Sequence, residues 1–266
     1  MASGSWELAA MYDGFHTHLP YEKDWDETLR QLQKWRAAYP NSRTAPVAEA
    51  TFWIAYAQHA QGGDYAYKVP EMAWELYRTR LARAREVLEG AKDPGNPHWY
   101  TQMLYLAYTQ DTPADQRVAL FEEAIRAEPY YYTHYFVVAN QLTPRWGGSL
   151  AEFQSFVEAS VKRTSERDGA TMYARLYWIL ASVEHDREPF TELGIPWPKM
   201  RQGFDDLMQR YPNSQWNLNN YAYFACRAKD ERTFGRIVGG IQQAIPPAWN
   251  GAYTLDYCKN LLLKKA

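Results

Sequence analysis

The stretch PNSQWNLNNYAYFACRAKDERTFGRIVGGIQQAIP, Pro212 to Pro246, decides the fold class of this chain. Its two prolines stand 34 residues apart, with two segments of helically spaced apolar residues between them. The first, from Gln215, carries Leu218, Ala222 and Ala225 on one side. The second places Phe234, Val238 and Ile241 on its core-facing positions. Proline lacks the N–H that continues a helix, so each proline is expected to close a helical pair. A fixed period of this length predicts stacked helical hairpins. In such stacks each pair buries one face against the next and leaves a concave surface open to a partner.

The period repeats elsewhere. A unit begun at His98 puts Leu104 and Tyr108, then Phe121, Ala124 and Pro129, in the same register. Units following Pro40 and Pro129 carry Ala50 and Ala139 where the first carries Ala222. A small residue suits that place because the two helices of a pair cross closely there; Tyr105, in the His98 unit, departs from the rule. Tyr39-Pro40-Asn41-Ser42 also recurs as Tyr211-Pro212-Asn213-Ser214, each time between an apolar helix and an aromatic-rich one. The expectation is an all-α solenoid of helical hairpins, a right-handed superhelix, over residues 24–266. Residues 1–23 are expected to be irregular, and the first third forms a divergent cap. Two spacings read as helix-opening capping boxes, Asp24 with Glu27 and Ser149 with Glu152. The segment from Pro189 to Pro198 reads as a non-repeat insertion.

Composition narrows the function. Of 266 residues 23% are charged and the net charge is −2, so nothing favours nucleic acid or an anionic membrane surface. No apolar run approaches 18 residues, so membrane insertion is not expected. Met1-Ala2-Ser3-Gly4-Ser5 has no basic segment followed by a hydrophobic one. The cytoplasm is therefore the expected location, with the periplasm left open should a signal have been removed. Cys226 and Cys258 fall in predicted helices and read as buried free thiols rather than a disulfide framework. Aromatic content is high at 16%, and most of it is assigned to filling gaps between helices.

Motifs for chemistry are missing. There is no phosphate-cradling glycine loop, no Gly-x-Ser-x-Gly elbow and no His-Glu-x-x-His pair. His16 and His18 lack neighbours to complete a metal site. Gly147-Gly148 reads as a chain reversal before a helix capped by Ser149. Glu122-Glu123 and Asp205-Asp206 are adjacent on helices, so the members of each pair point about 100° apart and read as solvated faces. No catalytic residue, metal or cofactor is expected. Arg80 stands apart: it projects into the apolar arc of Trp74, Leu76, Tyr77, Leu81, Ala84, Val87 and Leu88. A guanidinium there needs an internal carboxylate, an aromatic face or a partner, and the internal structural role is favoured.

The turn Pro144-Arg145-Trp146-Gly147-Gly148-Ser149 and the stretch from Ala124 to Tyr132 resemble a family of uncharacterised bacterial proteins of the tetratricopeptide (TPR) kind. The resemblance covers residues 65 to 260. It implies a TPR-like solenoid and brings no activity with it. In such a solenoid Trp216, Asn219, Tyr223, Cys226 and Arg227 are expected to line the concave face, with Asn140 on an earlier unit. That mixture of aromatic, amide and arginine groups suits a non-enzymatic protein binding a protein or peptide partner. One concrete form, by analogy alone, is an immunity protein neutralising a secreted bacterial toxin. Two alternatives stand beside it: a hydrolase or lyase working in the groove, and a carbohydrate- or peptidoglycan-binding module.

Overall fold

A computed structural model describes residues 4–15, 19, 21–62, 68–110 and 112–263. Among them lie thirteen α-helices and no strand. They are α1 (Glu7–Asp13), α2 (Glu22–Ala38), α3 (Ala45–Gln61), α4 (Glu71–Glu89), α5 (Pro97–Thr109), α6 (Ala114–Ala127) and α7 (Thr133–Gln141). The series continues with α8 (Leu150–Asp168), α9 (Thr171–Val183), α10 (Trp197–Arg210), α11 (Gln215–Arg227), α12 (Glu231–Val238) and α13 (Leu255–Leu263). The chain divides into two compact units, residues 6–138 and residues 139–263 together with 4–5, and the division falls within α7.

In the first unit α3 is the buried centre. Its sequence is apolar almost all round, and α1, α2, α4 and α5 all pack on it. The outer helices bury only a stripe: Trp25 and Leu32 on α2, and Tyr77, Arg80, Leu81, Ala84 and Leu88 on α4. Spacings of three, four and seven residues place each such stripe on one helical face. Residues 7–13, expected to be irregular, instead form α1. Tyr12 is fully buried there, accepts a hydrogen bond from the Asn96 side chain at 2.8 Å and stacks on His98. The Trp6 indole N–H donates to the Tyr130 carbonyl at 2.7 Å. This aromatic anchoring orders a stretch whose weak periodicity gave no helical signal.

His134 lies in the same core with no exposed surface. Its Nε2–H donates to the Pro97 carbonyl at 2.7 Å, and Nδ1 makes no hydrogen bond. Burial lowers its pKa to about 4. The folded protein therefore binds fewer protons here than the unfolded chain, whose imidazole titrates near 6.5. The resulting stability is fully present above pH 6.5 and is lost as pH falls toward 4, by roughly 3 kcal/mol in all. The melting temperature should fall between pH 6.5 and 4.5, before most carboxylates protonate. His134→Gln, which keeps a donor for Pro97, should flatten that slope; an unchanged slope would assign it to other groups.

In the second unit helices pack on neighbours one or two places along the chain: α8 on α9 and α10, α9 on α10, α10 on α11, and α11 on α12 and α13. The α9–α10 crossing is close. A Cβ on Gly203 would lie 2.6 Å from the Ala170 carbonyl oxygen and 2.6 Å from the Ala174 nitrogen. The expected small residues Ala50, Ala139 and Ala222 are all fully buried.

Several local expectations are corrected. Helix α2 begins at Glu22, so Asp24 lies inside it and caps nothing, whereas Ser149 Oγ does accept from the Glu152 amide at 3.2 Å. Gly147 adopts a left-handed φ of 88°, and a side chain on Gly148 would strike the Leu142 carbonyl. The final 34-residue unit is cut short. Helix α12 ends at Val238 before Gly239-Gly240, so Ile241 is not helical, and Pro246 opens a short 3-10 turn. Cys226 and Cys258, expected to be free thiols, form a disulfide joining α11 to α13. The sequence pattern placed both in helices without showing that α13 folds back onto α11.

Candidate functional site

The predicted binding stripe on α11 is occupied by the chain itself. Beyond α12 the backbone runs over this helix, and Asn219, fully buried, grips it. Asn219 Nδ2 donates to the Gln243 carbonyl at 3.2 Å and to the Gln215 carbonyl at 2.9 Å. Its Oδ1 accepts from the Ile245 amide at 3.1 Å and the Trp249 indole at 2.9 Å. Both donors and both acceptor sites of the amide are thereby filled.

Tyr223 is only 8% exposed and sits edge-on to Trp249 and Tyr253. Burial raises its pKa. Arg227 donates to the Tyr223 hydroxyl at 2.6 Å and to Glu188 Oε1 at 3.1 and 3.2 Å, with its guanidinium 4.6 Å from the Tyr253 ring centre. The expectation that Asn219, Tyr223 and Arg227 form an open polar stripe is therefore corrected: they are core and clamp residues. Of the α11 set Trp216 alone keeps an open face, at 36% exposure, and it rests on Trp178 with ring centres 5.5 Å apart. Asn140 is half-buried at the end of α7, where its carbonyl accepts from the Thr143 hydroxyl at 2.8 Å.

Arg80 is buried inside the first unit. It donates to the Tyr56 carbonyl at 2.7 Å and to Glu22 at 3.0 Å, and its guanidinium lies 3.3 Å from the centre of the Tyr56 ring. The Tyr56 hydroxyl also donates to Glu22, at 2.5 Å, and that bond is the largest factor lowering the Glu22 pKa. This clip ties α2, α3 and α4 together at one end.

Further along the same three helices lies a cleft of about 740 Å³. Helix α3 supplies Pro46, Glu49 and Trp53; α2 supplies Leu29, Gln33 and Arg36; α4 supplies Arg83, Glu86 and Val87. Glu49 is 2% exposed. Its Oε1 accepts from the Trp53 indole at 3.4 Å, and Arg36 lies 3.1 Å from Oε2. Arg36 is not aligned for a hydrogen bond, so Oε2 is a buried acceptor without one. The sequence marks this site: Glu49 is the one charged side chain from Ala45 to Gln58, a run otherwise mostly apolar.

Three of the four adjacent carboxylates accept structural hydrogen bonds. Glu123 accepts from the Tyr100 hydroxyl, Asp205 from Tyr221 and Arg236, and Asp206 from the Ala170 amide. Among the described residues no three His, Cys, Asp or Glu side chains converge as a metal site. His16 and His18 lie outside the described residues. No described helix is long and apolar enough to cross a membrane. Compared with protein-family models, curated proteins and solved structures, the chain matches none.

Proposed function

We propose that this chain is a non-enzymatic, TPR-like helical-repeat protein that binds an extended segment of a protein or peptide partner. The observation that carries this reading is intramolecular. Helix α11 holds the chain's own non-helical segment at Gln243–Ile245 by a side-chain amide on its main chain, with Trp249 packed on Tyr223. Recognition of an extended peptide combines the same two elements, main-chain hydrogen bonds for affinity and side-chain pockets for choice. Packing between helices one or two apart in sequence supports the repeat architecture. The exposed Trp216, backed by Trp178, is the natural anchor for a partner, since aromatic residues dominate binding energy at such surfaces. The buried disulfide favours an oxidising compartment over the cytoplasm.

The test is selection of displayed random peptides on the full-length protein, followed by affinity measurement on Trp216→Ala. Selected peptides should bind the variant at least about tenfold more weakly, roughly 1.4 kcal/mol, with its melting temperature unchanged. Failure to enrich any sequence, or equal binding to the variant, would sink the reading.

A further inference from the structure

The α2–α3–α4 cleft has a chemistry distinct from the peptide-holding face of α11. We infer that it is a binding site for a neutral, polyhydroxylated ligand, a short oligosaccharide. Three observations point there. The volume, about 740 Å³, falls within the range of small-molecule sites. The floor presents a half-buried indole, Trp53, beside the buried carboxylate Glu49, whose Oε2 lacks a hydrogen bond. Arg36 neutralises that oxygen from 3.1 Å without an aligned hydrogen bond, and a ligand O–H or N–H would supply the bond it lacks. Finally, the walls carry donors and acceptors in balance: Arg36 and Arg83 donate, Glu49 and Glu86 accept, and Gln33 does both.

That balance selects the ligand class. The two arginines and two glutamates sum to no formal charge, so the cleft offers an ion no net attraction. A basic side chain reaching Glu49 would meet Arg36 beside it, and an acidic group reaching Arg36 would meet Glu49. A sugar hydroxyl both donates and accepts, so one ring can satisfy Glu49 and a guanidinium together. The apolar face of the same ring can lie on Trp53, as aromatic faces accept flat apolar surface. Arg83 is exposed and, among the described residues, is held by Glu86 one turn along, so it can re-pair with a ligand at little cost.

The experiment is saturation-transfer NMR on the full-length protein with chitotetraose, cellotetraose and maltotetraose, and with tetralysine and tetraglutamate as charged comparisons. At least one oligosaccharide should bind more tightly than about 10 mM. Trp53→Ala should weaken it about tenfold or more. Arg83→Ala, at an exposed position where folding is not at risk, should weaken it about threefold or more. Trp216→Ala should leave it unchanged, which separates this site from the peptide-binding reading. The inference is overturned if none of the three sugars shows transfer at 10 mM, if a charged peptide binds better than all of them, or if Arg83→Ala binds the sugar as well as the parent does.

Discussion

Replacing Cys226 and Cys258 together by alanine should lower the stability of the second unit by about 3–4 kcal/mol. The disulfide spans 32 residues, and closing a loop of that length removes this much chain entropy from the unfolded state. For a protein of this size the melting temperature should drop on the order of 10 °C. The consequence should also be local. Cys258 is the one fully buried residue that α13 contributes, while Tyr257, Leu261 and Leu263 remain exposed. Without the bond, little else presses α13 onto α11. Reducing agent should therefore accelerate amide hydrogen exchange in Leu255–Leu263 well before it affects α9 or α10. If the parent protein melts at the same temperature with and without reductant, the pair contributes no stability.

Much of the fold was legible because the signals were local. Apolar stripes such as Phe204 and Leu207 follow helical period, and the breakers at Pro94-Gly95 and Gly147-Gly148 sit where the chain does turn. What remained hidden was long-range. Asn219, Tyr223 and Arg227 form a polar stripe opposite Leu218, Ala222 and Ala225, and a polar stripe on an isolated helix reads as solvent-facing. Whether it is open depends on where residues 241–257 run, and Gly239-Gly240 gives no direction for that path. The same limit explains the cysteines, 32 residues apart yet bonded. Arg80 was readable because a guanidinium within an apolar arc demands partners. Its actual partners, Tyr56 and Glu22, come from two other helices. Glu49 posed the same demand, a lone carboxylate in an apolar helix, and marks the cleft.

Asn219 should prove the most sensitive single position in the second unit. Its amide makes four hydrogen bonds, three of them to groups 24 to 30 residues away, and it has no exposed surface. Asn219→Ala leaves the Ile245 amide, the Trp249 indole and the Gln243 carbonyl without their shared partner. A fully buried orphan costs about 1–3 kcal/mol; these three are part-buried and Gln243 is exposed, so water rescues them in part and a total of about 2–4 kcal/mol is expected. Asn219→Asp separates hydrogen bonding from packing because it keeps the shape. Carboxylate oxygens still accept from Ile245 and Trp249, but one of them now faces the Gln215 and Gln243 carbonyls in place of an N–H donor. A buried charge against two carbonyl dipoles should make this variant at least as unstable as the alanine one at neutral pH. It should recover partly in acid, when the carboxyl carries a proton and can donate to one carbonyl. Thermal melts of both variants at pH 7 and pH 4.5, each referred to the parent at the same pH, decide the matter. An aspartate variant as stable as the parent at pH 7 would mean that the Gln243–Trp249 segment is held by its aromatic contacts and that the amide grip is incidental.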